Sequence, residues 1–239
     1  MLPTHNSCVE LANRFKTYFK EKIHNIRKSF TSKVSSDVNN SFHNNVNILE
    51  IFEPSTEDEI RSIVATYGIN CSPDDPIPVQ LLKDNIDVFI PIWLDLVNLS
   101  LNQGSMNCLK SAILTPLIKE LDNLIDIDLL KNYRPVSNLL FLGKLIERVV
   151  GIRLDTHMYR NNLHSSKQYG YKKNHSTEML LTKIMNDLLL SCDKKIPTVL
   201  MFLDLSAAFD TIDQTKLIKI LKDEIGIHGV AHQWLNLFY

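Results

Sequence analysis

Glycine is scarce, with 7 in 239 residues, which argues against a glycine-rich sandwich or a collagen-like repeat. Cysteines are few and far apart, at Cys8, Cys71, Cys108 and Cys192, with no Cys-x-x-Cys pair and no Cys/His cluster at metal spacing. A zinc site or a disulfide framework is therefore not expected, and buried, reduced thiols are. Residues 1–10 lack the apolar core of a secretory signal. A long hydrophobic run is missing too. The most apolar stretch, residues 86–101, contains Asp87, Pro91, Asp95 and Asn98, so no membrane span or membrane partner is expected. These absences point to an intracellular protein, in the nucleus and/or the cytoplasm. Lys172-Lys173 and Lys194-Lys195 are isolated pairs rather than a nuclear-localisation run. There is no excess of charge of either sign, the net being -1. That neutrality conceals segregation: residues 37–128 are strongly acidic, whereas residues 1–36 and 129–195 are basic. Basic segments bear on partners more than the total does.

What is present is an ordinary globular composition, 44% hydrophobic and 22% charged, with enough chain to bury a core. Val9, Leu11, Phe15, Phe19, Ile23 and Ile26 predict an amphipathic helix over 9–30. It reads as a basic surface helix, with a nucleic-acid contact as the alternative. The Ser/Asn-rich stretch 31–47 reads as a linker. Pro54–Glu59 predicts a helix start capped by Ser55, with acids in its first turn and an end near Gly68. A turn follows over Cys71–Pro78, then helical patterns over 79–83 and 88–101. Ala112–Lys119 and Asn132–Ser137 read as two strands of a long-looped hairpin, with Pro116 and Pro135 favouring edge positions. Residues 139–157 predict a helix whose broad apolar face is Leu142, Leu145, Ile146, Val149, Val150 and Leu154. The basic loop Gln168–Glu178 leads into a helix over 179–190, capped by Ser176 or Thr177. Residues 197–204 read as a buried strand ending in a carboxylate, and residues 215–222 as a helix. The apolar run Trp234–Tyr239 looks like an interrupted element.

The strongest chemical feature is Asp204, at the end of Val199-Leu-Met-Phe-Leu. A carboxylate there needs a metal, a cation or solvent beside it. Mg²⁺ binds through one or two carboxylates plus substrate phosphates, which suits a strand-end aspartate. The small residues Ala207 and Ala208 leave room for a ligand, and Phe209 offers a flat wall. By spacing alone the reading of Asp204 as a cap of the next turn comes first, and Asp210 reads still more strongly as a cap or ion-pair partner. For the basic loop bearing Lys172, Lys173 and His175, a solvated surface and a phosphate contact are equally open.

Phe202-Leu-Asp-Leu-Ser-Ala-Ala-Phe-Asp210-Thr-Ile-Asp213 resembles the first catalytic motif of reverse transcriptases of non-LTR (LINE-type) retrotransposons. Four further blocks resemble the same family in order and spacing. They are Ser72–Pro78, Ala112–Lys119, Asn132–Ser137 with Gly143–Arg148, and Gln168–Glu178. Single blocks of this kind are weak signals, and five in order are a strong one. The resemblance covers roughly residues 50–239, with 1–49 as a variable basic lead-in and linker.

The resemblance implies an α+β fold, helix-rich, comprising the fingers and a partial palm of a right-hand polymerase. It implies two-metal nucleotidyl transfer with Mg²⁺, on an RNA template with a DNA primer and dNTP. Asp204 resembles the first metal-binding aspartate, and the backbone at Leu205 would lie near the second metal. Lys119 and Arg134 match basic fingers residues that contact the incoming nucleotide, as a point charge and a planar fork respectively. Phe209 resembles the residue that packs under the incoming sugar. Lys172, Lys173 and His175 would touch template or primer. The family's later Asp-Asp pair does not follow Asp204; the one such pair here, Asp74-Asp75, sits in a Pro-rich turn upstream. The expectation is therefore a reverse transcriptase fragment, truncated after its first catalytic motif and inactive alone. A non-catalytic RNA- or DNA-binding module, or an unselected retroelement remnant, are the alternatives.

Overall fold

The computed structural model describes residues 2–30, 46–68, 72–105, 111–119, 126–205, 208–209 and 211–238. Among the described residues the fold is helix-rich with one small sheet. In chain order the elements are α1 (Cys8–Phe30), α2 (Glu57–Thr66), α3 (Val79–Asp84), α4 (Ile86–Gln103), β1 (Ala112–Ile118), β2 (Tyr133–Leu139), α5 (Phe141–Arg160), α6 (Thr177–Asp193), α7 (Gln214–Asp223) and α8 (Gly229–Phe238). A short 3-10 turn, Leu130–Asn132, leads into β2.

The main core lies where α2, α4, α5 and α8 meet. Helix α5 presents Leu145, Ile146, Val149 and Val150 from the predicted face, all at most 2% exposed, with Leu142 and Leu154 at the margin. Against them pack Ile60 and Val64 of α2, Val97 and Leu101 of α4, and Trp234 and Leu235 of α8. The apolar run Trp234–Phe238 belongs to α8. It is the core-facing part of a helix whose apolar positions recur at helical spacing, which a reading confined to the last six residues misses. Gly104 ends α4 in the left-handed region at φ 62, and a Cβ there would meet the Val230 carbonyl at 3.1 Å.

The cap of α2 also differs from expectation by one residue. Thr56 accepts from the Glu59 N–H at 3.3 Å. Ser55 instead has its backbone N–H on Asn98 Oδ1 and donates its hydroxyl to Glu59 Oε2 at 2.9 Å. Its backbone is held by α4, so it cannot turn its oxygen toward the helix end. Thr56→Ala is expected to cost about 1 kcal/mol in urea denaturation. No change in the midpoint would show that Ser55 does the capping after all.

β1 and β2 pair antiparallel from Ala112↔Leu139 to Ile118↔Tyr133, with Pro116 opposite Pro135. In a two-stranded sheet both strands are edges, so two prolines are tolerated. Helix α1 covers one end of this hairpin. Leu11, Phe15 and Phe19 are buried around Tyr133, and the Phe15 and Tyr133 rings meet edge to face at 5.0 Å. Val9, assigned to that face by sequence, is 72% exposed. The start of the chain is tied down as well: Asp128 accepts from the Thr4 N–H at 2.7 Å and from its hydroxyl at 2.8 Å. Leu49 and Ile227 form a parallel bridge beside α8.

Residues 197–205 depart most from expectation. They form neither helix nor ladder, and Val199, Phe202 and Leu203 are 89%, 78% and 85% exposed. An apolar run becomes a strand only where a neighbour takes its N–H and C=O groups, and among the described residues none does. Helix α6 likewise has no buried residue, leaving Met179, Leu181, Met185 and Leu189 open. The cysteines differ too: Cys8 and Cys192 are exposed free thiols, not buried ones. Cys71 and Cys108 lie outside the described residues, as do residues 31–45 of the 31–47 linker, Ser206, Ala207 and Asp210. No described helix is long and apolar enough to cross a membrane.

Candidate functional site

Two groups of the predicted site residues emerge, one on the hairpin and one around the basic loop. On the hairpin, strand pairing brings Lys119 and Arg134 to the same end. The Lys119 N–H donates to the Asn132 carbonyl at 2.8 Å, continuing the ladder by one rung. Its ammonium donates to the Lys131 carbonyl at 2.9 Å, which closes the long connection. Arg134 lies directly across from Leu117 and is exposed. Alternation along a strand puts it on the face opposite Tyr133. Burial of Tyr133 under α1 therefore fixes the face on which Arg134 is presented.

The root of the hairpin is held differently. Asp75 accepts from the Ser72 N–H through Oδ2 at 2.9 Å and from the Phe141 N–H through Oδ1 at 2.8 Å. Phe141 is the first residue of α5, and its flanking Leu140 makes no side-chain cap, so Asp75 caps this helix from 66 residues away. The buried Ser72 donates its hydroxyl to the Asn138 carbonyl at 3.3 Å, and Lys144 donates to Asn138 Oδ1 at 2.8 Å. The block Ser72–Pro78 is thus a bracket at the β2–α5 junction, which its sequence did not announce because both partners are remote.

Around the basic loop, Ser176 caps α6 by accepting from the Met179 N–H. Lys172 donates to the Ser165 carbonyl at 3.3 Å, and His175 lies against the Lys173 carbonyl at 3.0 Å. The His175 ring meets Tyr169 edge to face at 5.3 Å, with the Lys183 ammonium 6.0 Å from the same ring. Tyr171 meets Phe209 edge to face at 5.9 Å. Both rings are largely open, and Tyr171 holds φ 56, a region a bulky residue rarely enters. This contact joins the basic loop to the segment after Asp204. The two tyrosines were missed because the loop drew attention only for its charge, although aromatics interleaved with lysines were the available signal.

Asp204 and Leu205 are exposed in the unpaired 197–205 segment. Among the described residues, no hydrogen bond or ion pair joins them to Lys119 or Arg134, and no three His, Cys, Asp or Glu side chains gather into a possible metal set. Asp213 is committed elsewhere, capping α7 through the Lys216 N–H. Among the described residues, Asp204 is therefore a single carboxylate with no such set of side chains gathered beside it.

A groove of about 670 Å³ lies between residues 47–53 and α5, lined by Arg153, His157 and Arg160. None of the predicted site residues lines it. Its charged wall is structural: Arg153 binds Glu59 through two nitrogens at 2.6 and 2.7 Å, and also the Glu53 and Pro54 carbonyls. The Arg153 hydrogen bonds hold the Glu59 carboxyl below its ordinary value, and Glu59 raises Arg153 in return. On α5, partial burial pushes the Glu147 carboxyl up.

Comparison with known proteins bears out the family resemblance. Residues 119–239 match the family described as reverse transcriptase (RNA-dependent DNA polymerase). The chain is 32% identical over 92 residues to the probable RNA-directed DNA polymerase from transposon BS of Drosophila melanogaster, covering 38% of this chain and 10% of that protein. It is 28% identical over 162 residues to the RNA-directed DNA polymerase from mobile element jockey of the same species, covering 66% of this chain and 17% of that protein. The Drosophila funebris jockey polymerase is 26% identical over 165 residues, covering 67% and 17%. The chain thus spans a small fraction of the length of these curated relatives. With the family match extending over half of its residues and these mobile-element polymerases among its relatives, the chain belongs to the reverse transcriptase family, as reverse transcriptase domain sequence of the non-LTR retrotransposon type.

Proposed function

We propose that residues 50–239 supply the fingers and the start of the palm of a right-hand polymerase, with 1–49 as lead-in. In this reading the hairpin bearing Lys119 and Arg134 receives the triphosphate of an incoming dNTP. Phe209 lies under its sugar. Lys172, Lys173 and His175 face the RNA template or DNA primer. The observation that carries the reading is the pairing of β1 with β2, which brings Lys119 and Arg134, 15 positions apart in sequence, to one end of one ladder. An arginine fork and a lysine point charge side by side suit a polyphosphate.

Asp204, with the backbone at Leu205, is the proposed start of a Mg²⁺ site. The ion would supply charge stabilisation at the phosphate when bound. One carboxylate does not hold two ions, so we derive no catalytic step for the chain by itself. Its own residues bind and orient: the hairpin holds phosphates, and the basic loop holds a strand.

The test is titration of a primed RNA template with the chain at several salt concentrations. Binding is expected to weaken linearly on a log–log scale, and Lys172→Ala with Lys173→Ala to lower the slope by about one unit per lysine. Binding that ignores salt, or a slope indifferent to both lysines, would sink the template assignment. Primer extension with Mg²⁺ and dNTPs is expected to yield no product. Extension that Asp204→Ala abolishes would overturn the view that this polypeptide is inactive alone.

A further inference from the structure

We infer that Asp75 is a positioning residue for the nucleotide-facing hairpin, acting through the β2–α5 junction. The inference rests on the reading of Lys119 and Arg134 as dNTP contacts. Those two residues lie at one end of the β1–β2 ladder, the end buttressed by α1 through Tyr133. Its other end runs directly into α5, with Leu140 alone between Leu139 of β2 and Phe141. Helix α5 is anchored in the main core by Leu145, Ile146, Val149 and Val150. The direction in which the ladder leaves the core is therefore set at Asn138–Phe141. Both sides of that joint are gripped by one turn: Ser72 holds the Asn138 carbonyl on the strand side, and Asp75 holds the Phe141 N–H on the helix side. Asp75 also holds the Ser72 N–H, so the turn is a closed bracket rather than two separate contacts.

The carboxylate is required in atomic terms. Its two oxygens each accept from a different backbone N–H, and neither position can take a donor. Asparagine has the same shape but offers one acceptor and one NH₂. It would leave either the bracket or the helix end facing a donor. Asp75→Asn is thus expected to act almost like Asp75→Ala, which separates this role from simple space filling. The neighbouring Asp74 is exposed and has no such geometry, so the two halves of the Asp74-Asp75 pair are not equivalent.

The test uses the full chain bound to an oligo(rA)·oligo(dT) duplex, with dTTP and Mg²⁺ as the probe. Arg134→Ala is measured first and is expected to weaken dTTP binding. Asp75→Asn is expected to weaken it by roughly tenfold, in line with the sensitivity of oriented contacts to ~1 Å displacement. Ser72→Ala, a milder change that keeps the carboxylate, is expected to weaken it less and serves if Asp75 variants fail to fold. The decisive reading is the double variant: Asp75→Asn is expected to add little once Arg134 is alanine, because it acts through that side chain. Additive losses, or an Asp75→Asn chain and a Ser72→Ala chain that bind dTTP normally while Arg134→Ala does not, overturn the positioning role. If Arg134→Ala itself binds dTTP normally, the nucleotide assignment of the hairpin fails, and the role of Asp75 falls with it. Hydrogen exchange at the Phe141 amide, expected to quicken in Asp75→Asn alone and not in Arg134→Ala, reports the joint independently of any ligand.

Discussion

Trp234→Ala is expected to lower folding stability by about 4 kcal/mol, the largest effect of any single substitution considered for this chain. Trp234 is 2% exposed. Its ring meets Phe52 edge to face at 6.2 Å and stacks on Phe238 at 5.2 Å. Truncation removes an aromatic ring from the joint between α8 and α4 and leaves a cavity that three anchored helices cannot close. The indole N–H also donates to Ser100 Oγ at 3.1 Å, and the Ser100 hydroxyl donates in turn to the Ser105 carbonyl at 2.7 Å. Trp234→Phe keeps most of the ring and loses that donor, so about 1 kcal/mol is expected there. Since domains of this kind are stable by only about 5–15 kcal/mol, the alanine variant should approach the edge of folding. Urea denaturation gives both values. A loss under about 1 kcal/mol for Trp234→Ala would mean that α8 is not packed as described.

The second large effect concerns Arg153 and Glu59, which tie α5 to α2. Their side chains are 15% and 19% exposed. Removing one partner strands the other, and because water still reaches the pair the expected loss is about 2–3 kcal/mol rather than the full buried-pair value. Arg153→Lys should not restore it, since one ammonium cannot reproduce the two-nitrogen fork and the bonds to the Glu53 and Pro54 carbonyls. The pH dependence has a definite sign. The folded state lowers the Glu59 carboxyl below its ordinary value of 4.5. Its stabilisation is therefore fully present above 4.5 and is lost as pH falls through the lowered folded value. The stability gap between the native chain and Glu59→Gln should hold constant from neutral pH down to about 4.5 and narrow below it. A gap that widens on acidification would contradict the ion pair.

Glu147 runs the other way. Burial raises its carboxyl, so its ionised form costs stability at neutral pH and the cost falls as the group protonates.

Local sequence determined much of this architecture. Helix α5 and its inward face could be read because Leu145, Ile146, Val149 and Val150 repeat at helical spacing, a property of the chain alone. The β1–β2 pairing could be read because two short apolar segments with edge-tolerant prolines flank one connection. The family, too, was legible, since ordered motifs need no coordinates. Only the tertiary structure decided the rest. It moved the α2 cap from Ser55 to Thr56 because Asn98 of a different helix claims the Ser55 backbone. It left residues 197–205 without a ladder among the described residues, because a strand is a relation between two segments and an apolar run states only one of them. It turned the Ser72–Pro78 block from a rigid turn into a bracket, because Asp75 finds its second N–H 66 residues further on. Periodicity and turn chemistry are short-range and are written locally. Caps, ladders and brackets depend on which remote donor arrives, and that is settled only when the chain closes on itself.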